Sequence, residues 1–193
     1  MRAVKSQTNT PLGPTDAALV VAARAGESWA QEALFRRYAR MVNGLAFRLL
    51  GRDGDVDDLV QDSFLAALKN LDRLDNPQAF GSWLGSIVVR TAGKNLRRRA
   101  LMRRLGLRRA TPIDADSVLS SDAPPDMRAE LGRLYECLES MHHEARLAIV
   151  LHRVEGMSLP EAAQTMGISL STIKRRIQTA ERILKAKTPP EAP

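Results

Sequence analysis

Residues 156–178, GMSLPEAAQTMGISLSTIKRRIQ, carry the local signals of two helices joined by a tight turn. Ser158 and Glu161 have the S-x-x-E spacing of a capping box, in which two side chains satisfy free backbone N–H groups at a helix start. Gly167 can adopt the positive φ that ends the first helix and turns the chain. The pattern predicts a helix-turn-helix whose second helix runs from Leu170 to about Lys187.

The second helix of this motif has a polar face whose residue types suit contact with DNA. Ile173 and Ile177 would anchor its other side to a core. Hydroxyl, amide and basic side chains can bond base edges and phosphates in the major groove. The predicted DNA-binding residues on this face are Ser171, Thr172, Lys174, Arg175, Arg176 and Gln178. The alternative is an ordinary helical hairpin with a solvated basic face. That alternative does not explain why the turn glycine, the apolar anchors and the basic face all occur in the register of a helix-turn-helix.

Upstream of the motif, apolar residues recur at helical spacing and no useful stretch alternates as a strand would. Helices are predicted over 17–25 with Asp16 as the cap, from Ser28 to Gly51, from Asp55 to about Leu71, and over 79–99. The sequence therefore predicts an all-α fold of two small helical domains joined by a flexible linker. The predicted division is a disordered tail over 1–15, a helical domain over 16–100, a linker over 101–126, a helix-turn-helix domain over 127–187 and a disordered tail over 188–193.

Two charged segments of the first domain suggest binding surfaces. The net charge of the chain is +7, and the stretch 90–109 contains only positive charges, which favours a polyanionic partner such as nucleic acid. In DVDDLVQDSFLAAL, residues 55–68, the side chains that lie away from the apolar face are Asp55, Asp58, Gln61 and Asp62. The helix dipole accounts for acids in the first turn, but Asp62 lies two turns in. Two interpretations of this acidic face remain open: it is a docking surface for a basic partner, or it is an ordinary solvated helix face.

Several function classes lack support in the sequence. Cys137 is the single cysteine, which suits a reducing cytoplasm and leaves no disulfide or paired-cysteine metal site. The three histidines do not have the spacing of a zinc site, and no Gly-rich phosphate loop or catalytic triad is present. Neither a signal peptide nor a membrane span is predicted. We expect a cytoplasmic protein that is not an enzyme, without metal or cofactor.

The order of these motifs resembles the extracytoplasmic-function (ECF) class of bacterial sigma factors. The resemblance spans about Asp16 to Lys187. It rests on DVDDLVQDSFLAAL, on the F-x-x-W-L of Phe80, Trp83 and Leu84, and on GMSLPEAAQTMGISLSTIKRRI. This similarity implies a protein that binds core RNA polymerase and directs promoter recognition and transcription initiation at a specific regulon.

The resemblance also implies roles for the two domains. The residues that would contact the polymerase clamp are Asp55, Asp58, Gln61 and Asp62. The residues implied in binding and melting the −10 element are Asp75, Asn76, Trp83, Arg90, Lys94, Arg97 and Arg98, with the loop around Asp75 and Asn76 capturing an unstacked base. The second domain would bind the polymerase flap and read the −35 element. Arg90 and Lys94 depart from the Asn and Asp that the family often carries there. An anti-sigma factor is a further partner that the resemblance implies for many members.

Two other functions remain open at the level of sequence. A stand-alone helix-turn-helix regulator would not need the acidic helix or the long linker. A sigma-like decoy that sequesters an anti-sigma factor would not need DNA-reading side chains, yet the basic face of the last helix is intact. Polymerase co-purification tests the first alternative, and promoter-dependent transcription tests the second.

Overall fold

The computed structural model of the chain describes residues 13–51, 53–107 and 124–187, without the side chains of residues 53, 54 and 125. Most of the predicted linker, most of the predicted N-terminal tail and the predicted C-terminal tail lie outside these residues. Within the described ranges every regular element is helical, which confirms the predicted all-α class. The described helices include none that is long and apolar enough to cross a membrane.

The elements follow one another in an order that matches the predicted helices, with shifted ends. They are α1 (Asp16–Arg24), α2 (Ser28–Leu50), α3 (Asp53–Lys69), α4 (Phe80–Arg104), α5 (Pro125–Ser140), α6 (His143–Ile149), α7 (Leu159–Met166) and α8 (Leu170–Lys187). Two short 3-10 turns, Leu71–Arg73 and Pro77–Ala79, lie between α3 and α4, and a π-helical turn, Val150–Val154, continues α6.

Helix α1 begins one residue earlier than the sequence predicts. Asp16 is not the cap, because the Thr15 hydroxyl accepts the backbone N–H of Ala18 at 3.3 Å. The Asp16 carboxylate instead pairs with the Arg37 guanidinium at 2.5 Å and accepts a hydrogen bond from the Tyr38 hydroxyl. Burial, followed by this bond, raises the pKa of Tyr38 to about 12. Asp16 therefore ties α1 to α2 and does not cap its own helix.

Helix α4 is longer than predicted, and its predicted end near Arg99 is wrong. Residues 101–104, which the sequence assigned to the linker, are helical, because strong helix formers continue until Gly106, which has φ 70°. Arg99 is an exception within the basic run 90–109, for which the sequence favours a polyanionic partner. Its side chain is 10% exposed and pairs with Asp55 of α3. The end of α4 thus packs on α3 and does not extend freely.

The helix-turn-helix forms as the sequence predicts. Ser158 and Glu161 make both bonds of the capping box, and Gly167 ends α7 with φ 66°. Ile173 and Ile177 of α8 are buried. For α5 the spacing of Leu131, Leu134, Tyr135, Leu138 and Met141 predicts one apolar face. This prediction is partly wrong, since Leu134 is 44% exposed and Cys137 is buried in its place. The helix period does not explain this exchange, because Leu134 and Leu138 are four residues apart and share a face; the other helices leave that part of α5 uncovered and cover Cys137.

The two helical halves pack against each other in the structure. Helix α4 of the first half contacts α6 and α7 of the second, and the buried residues of both halves form one continuous apolar cluster. Ile87, Val88 and Val89 of α4 are all buried, although successive side chains point about 100° apart around a helix. Helix α4 is therefore covered on more than one side and lies at the centre of the molecule.

Candidate nucleic-acid and polymerase surfaces

The exposed face of α8 carries the predicted −35 residues. Ser171, Lys174, Arg175 and Gln178 are exposed, and Thr172 is half-buried. Ser169 caps this helix, because its hydroxyl accepts the Thr172 N–H at 3.3 Å and lies 2.8 Å from the Thr172 hydroxyl and 3.0 Å from that of Ser171. The helix N-terminus that would enter a DNA groove is thus fixed by local hydrogen bonds.

Arg176 has a different environment from its neighbours on α8. Its guanidinium pairs with Glu144 of α6 at 2.7 Å, and its side chain is 18% exposed. The predicted DNA-binding face therefore contains two exposed cations, Lys174 and Arg175, and one cation that holds α8 against α6.

A cavity of about 460 Å³ opens between α3 and α4 and joins an aromatic ring to several cations. Trp83, Arg90 and Lys94 lie on one face of α4 and line it, in agreement with their 7- and 4-residue spacing. The remaining lining residues are Ala66, Asn70, Arg73, Ile87 and Thr91. With three cations, an indole and an amide, the cavity has the groups that bind a phosphate chain and stack or hydrogen-bond a base.

The turn after α3 positions the cavity residues that the sequence analysis missed. The Asn70 amide donates to the Ala66 carbonyl oxygen at 2.8 Å. The Arg24 guanidinium of α1 donates to the Leu71 carbonyl oxygen at 2.9 Å and also to that of Leu74, which fixes the segment carrying Arg73. No local pattern indicates this contact, because the two partners are 47 residues apart.

The other residues implied in −10 binding lie outside this cavity. Asp75 and Asn76 are exposed in the loop before α4, where the Asn76 side-chain oxygen accepts the Gln78 N–H at 3.1 Å. Arg97 and Arg98 are exposed on α4. Arg98 lines a different cavity.

That second cavity, of about 390 Å³, contains three of the acidic residues of α3. Asp55, Asp58 and Asp62 line it together with Asn95, Arg98, Arg99, Met102 and Leu107. Asp58, Gln61 and Asp62 are exposed, whereas Asp55 is half-buried and paired with Arg99. The structure therefore brings three of the four predicted polymerase-binding residues together and gives Asp55 a role in holding α3 to α4.

Comparison with known proteins gives the family. Residues 34–101 match the family description Sigma-70 region 2, and residues 131–184 match Sigma-70, region 4. The chain is 30% identical over 183 residues to the ECF RNA polymerase sigma-E factor of Haemophilus influenzae, covering 91% of this chain and 96% of that protein. The chain belongs to the ECF family of RNA polymerase sigma factors.

Two further relatives agree with this family. The chain is 33% identical over 162 residues to the ECF RNA polymerase sigma factor SigE of Mycolicibacterium smegmatis; the match covers 82% of this chain and spans 60% of that longer protein. Among solved structures, CnrH in complex with the cytosolic domain of CnrY superposes with a TM-score of 0.59 at 30% identity, covering 89% of this chain and 95% of that one. As a sigma factor, the chain is a transcription initiation factor that binds RNA polymerase and promoter DNA.

The region boundaries place the larger cavity and most of the smaller one in region 2, and the recognition helix in region 4. All residues of the larger cavity fall within 34–101, and nearly all of α8 falls within 131–184. His143 of α6 is affected by cations from both regions. Burial and the neighbouring His142 lower its pKa most, and Glu144 raises it. Arg97 of α4 and Arg176 of α8 lower the pKa further. One residue that the sequence assigned to the −10 element and one that it assigned to the −35 element thus act on the same imidazole.

Acidification is expected to destabilise the folded chain through His143. Because its pKa is lowered from 6.5 on folding, the unfolded state binds more protons, and stability present above about pH 6.5 is lost as the pH falls below that value. Urea unfolding midpoints at pH 8 and pH 5.5 should differ less for His143→Gln than for the wild type, with the other histidines common to both proteins. The same pH difference in both proteins would contradict this prediction.

Proposed function

We propose that this sigma factor docks on core RNA polymerase through the exposed acidic face of α3, reads the −35 element with α8 and holds an unstacked −10 base in the α3–α4 cavity. It acts in the cytoplasm and has no catalytic reaction of its own. The observation that carries the proposal is the cavity that joins Trp83 to Arg73, Arg90 and Lys94.

The cavity suits the separated strand of a promoter better than a duplex. A base must leave the stack before a protein pocket can contact its face, and an indole offers a stacking surface of matching shape. Cations around the ring would follow the phosphates on either side of that base. Asn70 adds an amide that can bond a base edge. Asp75 and Asn76, in the exposed loop that leads into α4, would contact neighbouring bases of the same strand.

Region 4 supplies the duplex-reading surface. Helix α8 follows the capped turn of a helix-turn-helix, the geometry in which the second helix lies in the major groove and its N-terminal residues meet base edges. Lys174 and Arg175 are exposed close to that end. We assign base or phosphate contacts to these residues and to Ser171, Thr172 and Gln178, with Arg176 joining them once it leaves Glu144.

The acidic face of α3 is the proposed contact to the polymerase clamp, and region 4 the contact to the flap. Asp58, Gln61 and Asp62 are exposed and lie away from the buried side of α3. A stand-alone regulator would have no use for this surface or for a strand-binding cavity. A decoy would have no use for the exposed cations of α8.

An anti-sigma factor is the proposed protein partner. The solved structure of CnrH holds the cytosolic domain of CnrY, and CnrH covers nearly the whole of this chain at 30% identity. A protein partner for the present chain would be detected by co-purification of the full-length sigma factor from its source cells, followed by inhibition of transcription with the recovered partner.

Run-off transcription with purified core polymerase tests the proposed function. Promoter fragments from the source genome should give transcripts of defined length only when the sigma factor is present. Polymerase binding without transcription would support the decoy, and DNA binding without polymerase binding would support the stand-alone regulator.

Substitution of Arg175 by Ala is expected to weaken −35 binding by about 1–3 kcal/mol and to relax preference at one base pair, if the guanidinium reads a base edge. If Arg175 contacts only phosphate, affinity should fall evenly across sequences and the salt dependence should decrease. Holoenzyme binding to a set of −35 variants distinguishes the two results. Lys185→Ala, the loss of another exposed cation in the last turn of α8, is the matched control. Equal effects of both variants would argue against Arg175 as a reader.

A further inference from the structure

The two regions are held together by contacts between residues far apart in the chain. Near the end of α2, the Phe47 ring meets the Tyr135 ring of α5 edge-on, with centroids 6.5 Å apart and an interplanar angle of 83°. Gly51 follows α2 in a left-handed conformation, φ 64°, and a Cβ placed there would overlap Tyr135 Cε1. A residue with a Cβ would be strained by this φ and would collide with the Tyr135 ring. This position therefore requires glycine as long as Tyr135 packs against it.

An ion pair joins the same two regions beside this aromatic contact. The Arg48 guanidinium of α2 binds both carboxylate oxygens of Glu155, 107 residues away, and the second bond, Nη2 to Oε2, is 3.0 Å long. The Glu155 side chain is only 16% exposed. A two-bonded guanidinium–carboxylate contact of this kind fixes orientation as well as distance.

The centre of the interface is apolar and closely packed. Helix α4 contacts α6 and α7, and a Cβ at Gly93 of α4 would lie 3.3 Å from Leu147 Cδ1 of α6. Leu147 is buried in this arrangement. The contact is thus a continuation of the core of region 4 onto the central helix of region 2.

This docked arrangement conflicts with simultaneous contact to both promoter elements. Arg97, assigned to the −10 side, and Arg176, assigned to the −35 side, are both near His143. Positions −10 and −35 are about 25 base pairs apart, which is about 85 Å of B-DNA at 3.4 Å per pair. Two side chains that both act electrostatically on one imidazole are too close together to reach both ends of that distance.

We propose that the docked structure is a closed, self-inhibited state of the free sigma factor, in which Arg48–Glu155 and Tyr135 over Gly51 hold region 4 on region 2. Opening separates the regions so that each can reach its promoter element. The inhibitory part rests on the proposed function, whereas closure itself does not. Core polymerase is proposed to contact region 2 at the clamp and region 4 at the flap, so only the open population can make both contacts. The apparent affinity for core polymerase is therefore lowered in proportion to the open fraction.

Charge reversal at the ion pair tests closure in the full chain. Arg48→Glu and Glu155→Arg should each place like charges together and increase the radius of gyration measured by small-angle X-ray scattering. The double variant, Arg48→Glu with Glu155→Arg, restores opposite charges and should return the radius to the wild-type value. A compact chain of this length has a radius of about 16 Å, so separation of its halves is readily measured. Unchanged scattering in both single variants would overturn closure.

Gly51→Ala provides a second test from a different contact. The added methyl group should displace Tyr135 and open the chain. Gly26→Ala is the matched control, because Gly26 also has a positive φ, 89°, but a Cβ there would meet nothing within 4 Å. If both alanine variants open the chain equally, backbone strain and not the Tyr135 contact is responsible, and this part of the proposal is wrong.

Affinity for core polymerase tests inhibition. Each opening variant should bind core polymerase about 3- to 30-fold more tightly than the wild type, and the double reversal should bind as the wild type does. Opened variants with unchanged affinity would overturn the inhibitory role. Absence of polymerase binding by all of these proteins would overturn the proposed function as well, while the scattering data would still decide whether the chain closes.

Discussion

Charge reversal of Asp58 and Asp62 to lysine is expected to abolish association with core RNA polymerase and to leave the helical content unchanged. Both carboxylates are exposed on one face of α3, four residues apart, so two lysines would replace an acidic patch by a basic one without entering the core. Coupling between close interface charges is large enough that two reversals should weaken binding by about 100-fold or more. Anisotropy titration with labelled core polymerase and far-ultraviolet circular dichroism measure the two quantities.

Asp57→Lys is the matched control for this experiment. Asp57 is exposed on the same helix but lies about 100–140° around its axis from Asp58 and Asp62. Asp55 is unsuitable, because its pairing with the poorly exposed Arg99 means that reversal would disturb the fold as well as the surface. If the double variant binds core polymerase within twofold of the Asp57→Lys control, α3 is not the docking surface.

The helix-turn-helix could be predicted closely because its signals are local. Ser158 and Glu161 are three residues apart and meet within one helical turn, and Gly167 needs only its own φ to end α7. The burial of Ile173 and Ile177 follows from their four-residue spacing on an amphipathic helix. Each of these features depends on contacts within a few residues, which the sequence displays directly.

The end of α4 and the role of Arg99 could not be predicted in the same way. A run of arginines usually indicates a solvated face, and Arg99 becomes an exception only because α3 places Asp55 against it, 44 residues earlier in the chain. The docking of region 4 on region 2 is also nonlocal, since Arg48 and Glu155 are 107 residues apart. Such contacts are set by how complete helices pack, and no short motif records them.

The α3–α4 cavity was partly predictable: the sequence indicates the residues that share one helix face, but not the residue that a tertiary contact brings to them. Trp83, Arg90 and Lys94 share a face of one helix, so their spacing alone brings them together. Arg73 joins them from a turn that Arg24 of α1 holds in place. The cavity is therefore a product of one periodic helix and of the tertiary hydrogen bonds that Arg24 donates.

Loss of the indole at Trp83 is expected to cause the second large effect, a failure to hold the separated −10 strand. Stacking of a base on an aromatic side chain contributes about 1–3 kcal/mol, so Trp83→Leu should weaken holoenzyme binding to a single-stranded −10 oligonucleotide by about 5- to 150-fold. The oligonucleotide is taken from a promoter mapped by run-off transcription. Trp83→Phe keeps an aromatic face and should recover most of the affinity.

The cations of the cavity should act on the same strand through its phosphates and not through its sequence. Arg90→Gln and Lys94→Gln should each reduce the salt dependence of oligonucleotide binding by about 0.7 in the slope of log K against log salt, if each contacts one phosphate. Arg40→Gln, the loss of an exposed cation on α2 outside the cavity, should leave the slope unchanged.

Leucine differs from phenylalanine at position 83 mainly in the loss of the π-face, so equal binding by Trp83→Leu and Trp83→Phe would rule out stacking. If the two glutamine variants also kept the wild-type slope, the strand would have to lie elsewhere on region 2, and the exposed loop at Asp75 and Asn76 would be the remaining surface to test.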